Sequence, residues 1–560
     1  MLKYYKILFF LILLSPSFKG FTQKYYFKTI DEKKTEKKLK RKFDNYIEAL
    51  DFTQKLLSKK QKKGYIKSTF DSVVFSENQI IAYIEIGEKY FLKNIILSDI
   101  NDFELKKIGI NVSKFENKSV NFEEIDRINN KIITYYENNG FPFAEVKFDS
   151  VNIYGNSINL EIQTNKGDFY LIDTIYFTGK YNINAKFLSN YIDIFPNDIY
   201  DERKINAINQ NINELEFVKI STPAAIEFHS QNADLYIFLE KKEANSFNGV
   251  LGFLPNTKNP KKLLITGDLD LKIVNSFKQG ETFSFKWQKY KTQSQSLDLY
   301  TNFPYIGGSR FGIEENFILE KSDTSFLKVN NISAFQYFFS TLDNISIYFS
   351  GLKSYKLNDN FQNTENIKNF NSKIYGLRFQ FNQFDYKPNP KSGYGFELKS
   401  GYGTKFENDS TSSKQSENEL TLELFFPIIE NFVLNFKNQS AIIYNKNEIF
   451  FNELYQLGGL KTLRGFDEKS VFAARYSIFS LEIRYLYEKN SNVYLFTDFG
   501  YLSKQTENEY INHYPVSFGT GLNFSTNSGI FSLSYGIGKI SGNEFIIKNG
   551  KIHFGFISIF

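Results

Sequence analysis

From about Ser246 to the end of the chain, apolar and polar residues alternate with a period of two. In Ile530–Ile537 (IFSLSYGI), Phe531, Leu533, Tyr535 and Ile537 face one way, and Ser532, Ser534 and Gly536 the other. In Glu281–Gln288, Phe283, Phe285 and Trp287 oppose Ser284, Lys286 and Gln288; in Leu263–Ile273, Ile265, Leu269, Leu271 and Ile273 oppose Thr266, Asp268, Asp270 and Lys272. In Leu420–Phe426, Leu420, Leu422, Leu424 and Phe426 oppose Thr421 and Glu423. Successive side chains of a strand point to opposite faces, so each run is a strand with one apolar and one polar face.

A soluble sandwich alternates in the same way, so a single run decides nothing. Their number and length decide. About sixteen runs, each about ten residues long, fill residues 246–560, which is the spacing of a transmembrane barrel. The apolar faces carry almost no charge at mid-strand, where a Lys or Arg against lipid costs about 2–4 kcal/mol. No stretch after the N-terminus is long and apolar enough for a membrane helix, so a spanning role requires a closed barrel.

The N-terminus, MLKYYKILFFLILLSPSFKGFTQ, has Lys3 and Lys6 before the apolar run Ile7–Leu14, followed by the small residues Gly20 and Thr22. This is the layout of a secretory signal peptide over residues 1–22. The chain has no cysteine, which excludes a disulfide scaffold, a thiolate metal site, a cysteine nucleophile and a lipid anchor on cysteine. Its three histidines, His229, His513 and His553, are far apart in sequence, so no shared metal site is expected. A net charge of +6 over 560 residues is too mild to indicate nucleic-acid binding. No nucleophile–base pattern or phosphate loop is present, so neither a catalytic residue nor a cofactor is expected.

The front half repeats. Residues 64–95 and 140–175 both open on Gly and an aromatic, both contain FDSV (Phe70–Val73 and Phe148–Val151, 78 residues apart), and both close on a glycine, Gly87 or Gly167, before an apolar strand. A helix is predicted before each, with Leu39, Phe43, Ile47, Leu50 and Leu57 on one face of the first and Phe122, Ile125, Ile128, Ile132 and Tyr135 on one face of the second. A third, looser copy has a strand near Tyr170–Thr178, a helix near Asp201–Phe217 and strands near Ala224–Phe228 and Ala233–Leu239. Each copy reads as strand, helix, helix, strand, strand, a tandem module with a free sheet edge to which an extended peptide could pair.

One loop departs from the alternation. LGGLKTLRGFDEKS, Leu457–Ser470, lies in the longest connection of the barrel, roughly 446–474, between the predicted strands eleven (Phe432–Tyr444) and twelve (Tyr476–Tyr487). By strand parity it starts outside the cell. Phe479, Leu481, Ile483 and Tyr485 face lipid, which turns Glu482 and Arg484 inward; Val493, Leu495, Phe499 and Tyr501 likewise turn Asp498 inward beside Gly500. A loop folded into the lumen could bring Arg464 to Asp498 or Glu482, with Gly465 passing close to the wall and Phe466 wedged against it.

Leu463-Arg464-Gly465-Phe466 resembles the sixth-loop motif of the BamA/TamA superfamily of outer-membrane assembly and translocation proteins. Ser480-Leu481-Glu482-Ile483-Arg484, Phe496-Thr497-Asp498-Phe499-Gly500 and Gly519-Thr520-Gly521-Leu522 are similar to the strands that follow in that family, and the chain ends KIHFGFISIF, with Phe554, Phe556 and a terminal Phe560, like an outer-membrane recognition signal. The resemblance implies an α+β set of periplasmic POTRA repeats followed by an all-β, 16-stranded antiparallel barrel. The segments are a leader at 1–22, POTRA-like domains at 23–89, 90–168 and 169–243, and the barrel at 244–560. Three repeats resemble the TamA branch; BamA usually carries five, and two-partner secretion transporters two.

The function implied is assembly. POTRA domains in the periplasm would receive unfolded outer-membrane or secreted proteins, with a possible periplasmic or inner-membrane partner. The barrel, seated in the lipid bilayer of a Gram-negative outer membrane, would add incoming strands at a weak seam between its first and last strands. Gly555 is a candidate kink at that seam. The alternatives are a dedicated two-partner secretion transporter and a passive porin or receptor barrel.

Overall fold

The computed structural model describes residues 25–557, apart from 32–35, 44–45, 77–78, 256–262, 290–293, 323–324, 342, 359–365, 387–388, 408–410, 506–509, 527–528, 541, 543, 547 and 549. The expected leader and Phe560 lie outside the described residues. The chain divides into two compact units, Met1–Leu171 with Ile199–Glu202, and Ile172–Asp198 with Arg203–Phe560.

The first unit holds two α/β modules. In each, the opening strand pairs parallel with the closing one: Tyr25–Asp31 with Gln79–Glu85, and Phe91–Ser98 with Ser157–Asn165. The FDSV strand, Thr69–Ser76 or Glu145–Tyr154, completes an antiparallel hairpin with the closing strand. Both hairpins slip register inside the motif, between Phe70 and Ser72 and between Phe148 and Ser150. The repeated tetrapeptide therefore carries a repeated β-bulge, which bends the edge strand of each sheet.

The second module follows the predicted order of strand, helix, helix, strand, strand, with a short extra strand, Lys118–Ser119. Its long helix, Phe122–Glu137, starts at Asn121, whose side chain accepts the Glu123 N–H at 3.1 Å. The helix buries Ile125, Ile128, Ile132 and Tyr136 against Ile158, Leu160 and Ile162 of the sheet. Tyr136, rather than the expected Tyr135, completes the buried stripe, and Phe122 is exposed. The first module departs further. Glu36–Phe43 is a strand paired to Tyr25–Asp31, so Leu39 and Phe43 do not belong to the predicted helix, which is confined to Tyr46–Gln61. Its lysine-rich sequence occupies the sheet position that the two-residue strand Lys118–Ser119 holds in the second module.

The second unit contains a third α/β module and a large sheet. The module has the strand Leu171–Gly179, helices Ala185–Ile192 and Glu202–Glu214, and the hairpin Val218–His229 with Asn232–Lys241. Its first helix buries Phe187, Leu188, Tyr191 and Ile192. This module sits on one end of the large sheet. The Asn184 N–H donates to the Lys278 carbonyl at 3.1 Å, Asn190 Nδ2 to the Gly308 carbonyl at 2.9 Å, and Asp193 pairs with Arg310. The Phe187 ring fills the space above Gly280 that a side chain there would need.

The large sheet is antiparallel, with strands neighbouring in chain order from Ser246–Pro255 to Lys551–Ile557. It has seventeen strands against the sixteen expected. The additional one arises because Tyr510–His513 and Val516–Thr526 pair with successive stretches of one neighbour, Ser491–Gln505, on either side of Pro515. Proline lacks the ladder N–H, so the strand is interrupted there. The first and last strands are the two edges of the sheet; some of their Cα atoms come within 8 Å, yet no ladder joins them among the described residues.

Burial in this sheet is inverted relative to a soluble protein. Ile347, Tyr375, Leu495, Phe518 and Ile552 are exposed on one face, whereas Glu314, Lys405, Gln415, Asn435, Asp498 and Ser517 are buried on the other. Large apolar side chains exposed on strand after strand form one extended apolar face. No helix among the described residues is long and apolar enough to cross a membrane.

Candidate functional site

The loop between Phe432–Asn445 and Arg475–Glu488 leaves the end of the sheet away from the third module and turns inward. Its stem is a small ladder of Tyr455–Leu457 with Val471–Ala473. Gly458 and Gly459, with φ of 111° and 94°, then turn the chain. The Gly459 N–H reaches the Leu463 carbonyl at 3.1 Å, and the Thr462 hydroxyl receives the Gly458 N–H at 2.9 Å. Backbone of positive φ is where glycine is needed, and this turn aims the next four residues at the wall. Leu463 is fully buried with Leu457, Ala473, Ile478 and Leu502, which fixes the loop's depth by apolar packing.

Arg464 meets both expected carboxylates. Its backbone N–H and Nε each donate to Asp498 Oδ2 at 3.0 Å, Nη2 donates to Asp498 Oδ1 at 2.5 Å, and Nη1 pairs with Glu482. Asp498 is 0% exposed and also receives the Ser517 hydroxyl at 3.4 Å. Arg484 completes the chain of charges, donating from Nε to Glu482 Oε2 at 2.6 Å and from Nη2 to Asn435 at 3.2 Å. Two arginines thus face two carboxylates, every carboxylate oxygen is engaged, and the fork geometry of guanidinium makes the contact directional.

The sequence did not indicate what lies beneath the guanidinium. Arg464 Cζ stands 3.8 Å from the centre of the Phe496 ring. That ring fits because the neighbouring strands carry Gly519 and Gly536, where a Cβ would come within 2.7 and 3.0 Å of it. A Cβ on Gly465 would meet the backbone of Ile537 and Gly538 at 2.8–2.9 Å, and one on Gly538 would strike the Phe466 ring. The loop lies directly on the backbone of the strand Gly529–Lys539, so the SYGIG stretch, read as mere alternation, is the floor of the site. Gly500 does not touch Arg464; it makes room for Pro515, with its N–H on the Pro515 carbonyl at 2.8 Å.

The seam residues lie elsewhere. Phe554 is exposed on the last strand, and Gly555 and Phe556 pair with Ser532 and Phe531 in an unbroken ladder. The ladder runs without a register shift through Gly555. The charged interior has a second pair that the sequence did not reveal, a bidentate Arg378–Glu314 contact with both distances 2.8 Å. His229 lies near Asp173 and Asp234, with ligand atoms within 4.8 Å of one another. That group is largely exposed, and Asp234 already accepts the Thr174 N–H at 3.0 Å.

The site is thus an inturned arginine loop held by two carboxylates on the polar face of a large antiparallel sheet whose other face is apolar. Residues 344–524, which include the loop and both of its carboxylate partners, match the family model described as haemolysin secretion/activation protein ShlB/FhaC/HecB. That family is one of secretion and activation proteins, not of enzymes. The fold is shared with CdiB from Escherichia coli, at 12% identity over 92% of this chain and 98% of that one, with a TM-score of 0.52. It is shared also with CdiB from Acinetobacter baumannii, at 15% identity over 85% and 91%, with a TM-score of 0.51. A looser likeness, with a TM-score of 0.44, links it to BamA from Haemophilus ducreyi lacking POTRA domains 1–3, at 14% identity over 84% of this chain and 100% of that one. No curated protein matches the chain by sequence.

Proposed function

We propose that this protein is a dedicated transporter that passes a polypeptide across the outer membrane, its α/β modules acting as periplasmic POTRA domains and its sheet closing into a sixteen-stranded barrel. The observation that carries this reading is the Arg464 loop held inside the sheet, within the segment that matches the secretion/activation family. Two of the three front modules have the regular strand–helix–helix order, and the first does not, which suits a transporter with two receiving modules better than the TamA-like branch expected from three repeats. The module boundaries proposed are 23–89, 90–168 and 169–243, and the barrel begins at 244. The modules would take the unfolded substrate along their free strand edges, and Arg464, Glu482, Asp498 and Arg484 would keep the loop in register with the wall while it passes.

A second reading, barrel assembly by strand addition, is favoured by one observation: the first and last strands share no ladder among the described residues. Unpaired edge groups in a membrane would accept an incoming strand. Deleting the protein in its host and quantifying the secreted and outer-membrane proteomes separates the two. Loss of one secreted protein supports transport; depletion of many unrelated barrels replaces it with assembly.

A further inference from the structure

The inturned loop is held at two ends, and only one involves Arg464. The other lies in its first half, residues 446–457, against the strands Asn344–Lys356 and Gly393–Glu407. Lys405, 0% exposed, donates to Glu453 Oε1 at 2.7 Å and to the Glu448 carbonyl at 2.6 Å. Its ammonium stands 3.9 Å from the centre of the Phe450 ring. The Phe450 N–H returns to the same Glu453 oxygen at 2.7 Å, and Asn452 Nδ2 reaches Ser354 Oγ at 2.7 Å and the Lys368 carbonyl at 2.9 Å. Further along, the loop touches the last strand through Asp467–Lys551 at 2.8 Å and the strand Phe311–Ser322 through Lys469–Glu320 at 3.3 Å. Those two loop residues are neighbours but one, so the tip crosses the interval between far-separated strands.

The two ends are not equivalent. At Arg464 every oxygen of both carboxylates is engaged and the guanidinium is forked. At Lys405 a single ammonium is shared between Glu453 Oε1, the Glu448 carbonyl and, at 3.7 Å, Glu407 Oε1, and Glu453 Oε2 is buried with no hydrogen-bond partner among the described residues. A buried polar atom without a partner weakens its own anchor, whereas a fully engaged network resists release.

We propose that Lys405 and Glu453 form the releasable anchor of the loop: its first half swings off the strands Asn344–Lys356 and Gly393–Glu407 to open the lumen to an extended polypeptide, while Arg464 keeps the second half seated. The inference rests on the translocation reading. Lys405 and Glu453 are positioning residues for the loop and make no contact with the substrate's path until it opens.

The absence of cysteine makes the test clean. In the full chain, Ser354→Cys with Asn452→Cys creates one disulfide across the releasable end, scored by a mobility shift on non-reducing gels. The oxidised protein is expected to lose secretion, and reductant to restore it. Lys405→Met and Glu453→Gln are expected to raise single-channel conductance of the purified protein in planar bilayers several-fold, with heat-modifiability unchanged because Arg464 still holds. Full secretion by the oxidised double-cysteine protein overturns the proposal, as does unchanged conductance in both charge variants. Raised conductance in a host whose secreted proteome is insensitive to deletion leaves the anchor standing and removes the transport reading instead.

Discussion

The second α/β module and the large sheet bury opposite things. In the module, Ile132 and Ile162 are 0% exposed and charge stays outside; in the sheet, Asp498 is equally enclosed while Leu495 is 62% exposed. Both are built from alternating or periodic apolar residues. The solvent differs. Water on the outside of the module drives apolar groups inward, at about 25 cal/mol per Å² of apolar surface removed. In the proposed transporter, lipid on the outside of the sheet removes that drive and makes an unpaired outward polar group costly. A buried residue therefore carries a different meaning in each region: core in one and, on the proposed transport reading, part of the luminal wall in the other.

The largest expected effect comes from Arg464→Ala. Removing the guanidinium leaves Asp498 buried without a cation and Glu482 with Arg484 alone, which costs about 3–5 kcal/mol for a broken buried pair. The heat needed to convert the compact form to the slow-migrating form on gels should fall clearly, and secretion should be lost. Arg464→Lys should retain part of both, since one ammonium cannot reproduce the fork to two carboxylates. Full activity of Arg464→Ala would mean that the loop is decoration.

Next is the module's apolar core. Ile132→Ala should destabilise the second module by about 2–5 kcal/mol, the range for deleting a buried aliphatic side chain, while leaving the barrel's heat-modifiability untouched. Limited proteolysis within residues 90–168 reads the first and gel mobility the second. The same comparison is sharpened on the outer face of the sheet. Leu495→Lys should cost about 2–4 kcal/mol in a bilayer and very little in water, so insertion into liposomes should fail while solubility in denaturant-free buffer improves. If Leu495→Lys inserts normally, that face does not meet lipid.

How much of this could be read from the chain differs by region, for the same physical reason. Period-two alternation in Ile530–Ile537 and around Glu482 and Asp498 identified the inward residues, because facing is a local property of a strand. The bulge at FDSV, by contrast, depends on pairing with a closing strand, and the strand Glu36–Phe43 depends on a sheet edge that helix periodicity does not report. Within the site, Arg464 and its carboxylates were legible because the loop breaks the alternation and the two strands after it turn Glu482 and Asp498 to the face that an infolded loop would meet. Phe496, Gly536 and Gly538 were not, since an aromatic and two glycines look the same whether they pack a wall or floor a loop. Lys405 and Glu453 are 48 residues apart, and nothing local links them. A lysine preceded by Thr404 in a strand reads as solvated until the loop above it is known.

The smallest effect tests the water-facing side of the comparison through pH. Glu104 lies in the short helix Asp102–Ile108 of the second module, with Lys166 Nζ at 2.8 Å and the Asn101 N–H at 3.3 Å. Burial pushes its carboxyl up, but the Lys166 hydrogen bond and the Asn101 N–H outweigh it and hold the group below the ordinary carboxylate range. A depressed folded value means that the charged form is bound more tightly in the native state. Its contribution is therefore complete at neutral pH and is lost as pH falls below the ordinary carboxylate value of about 4. Hydrogen exchange of the amides in residues 101–108 should accelerate on acidification in the native protein. In Glu104→Gln that dependence should flatten, with exchange at neutral pH raised slightly because the capping contact survives and the ion pair does not. The barrel's heat-modifiability should ignore the change, since the pair lies in a water-facing module whose stability is set apart from the luminal network around Asp498. Equal acid sensitivity in Glu104→Gln would assign the response to other carboxylates of the module.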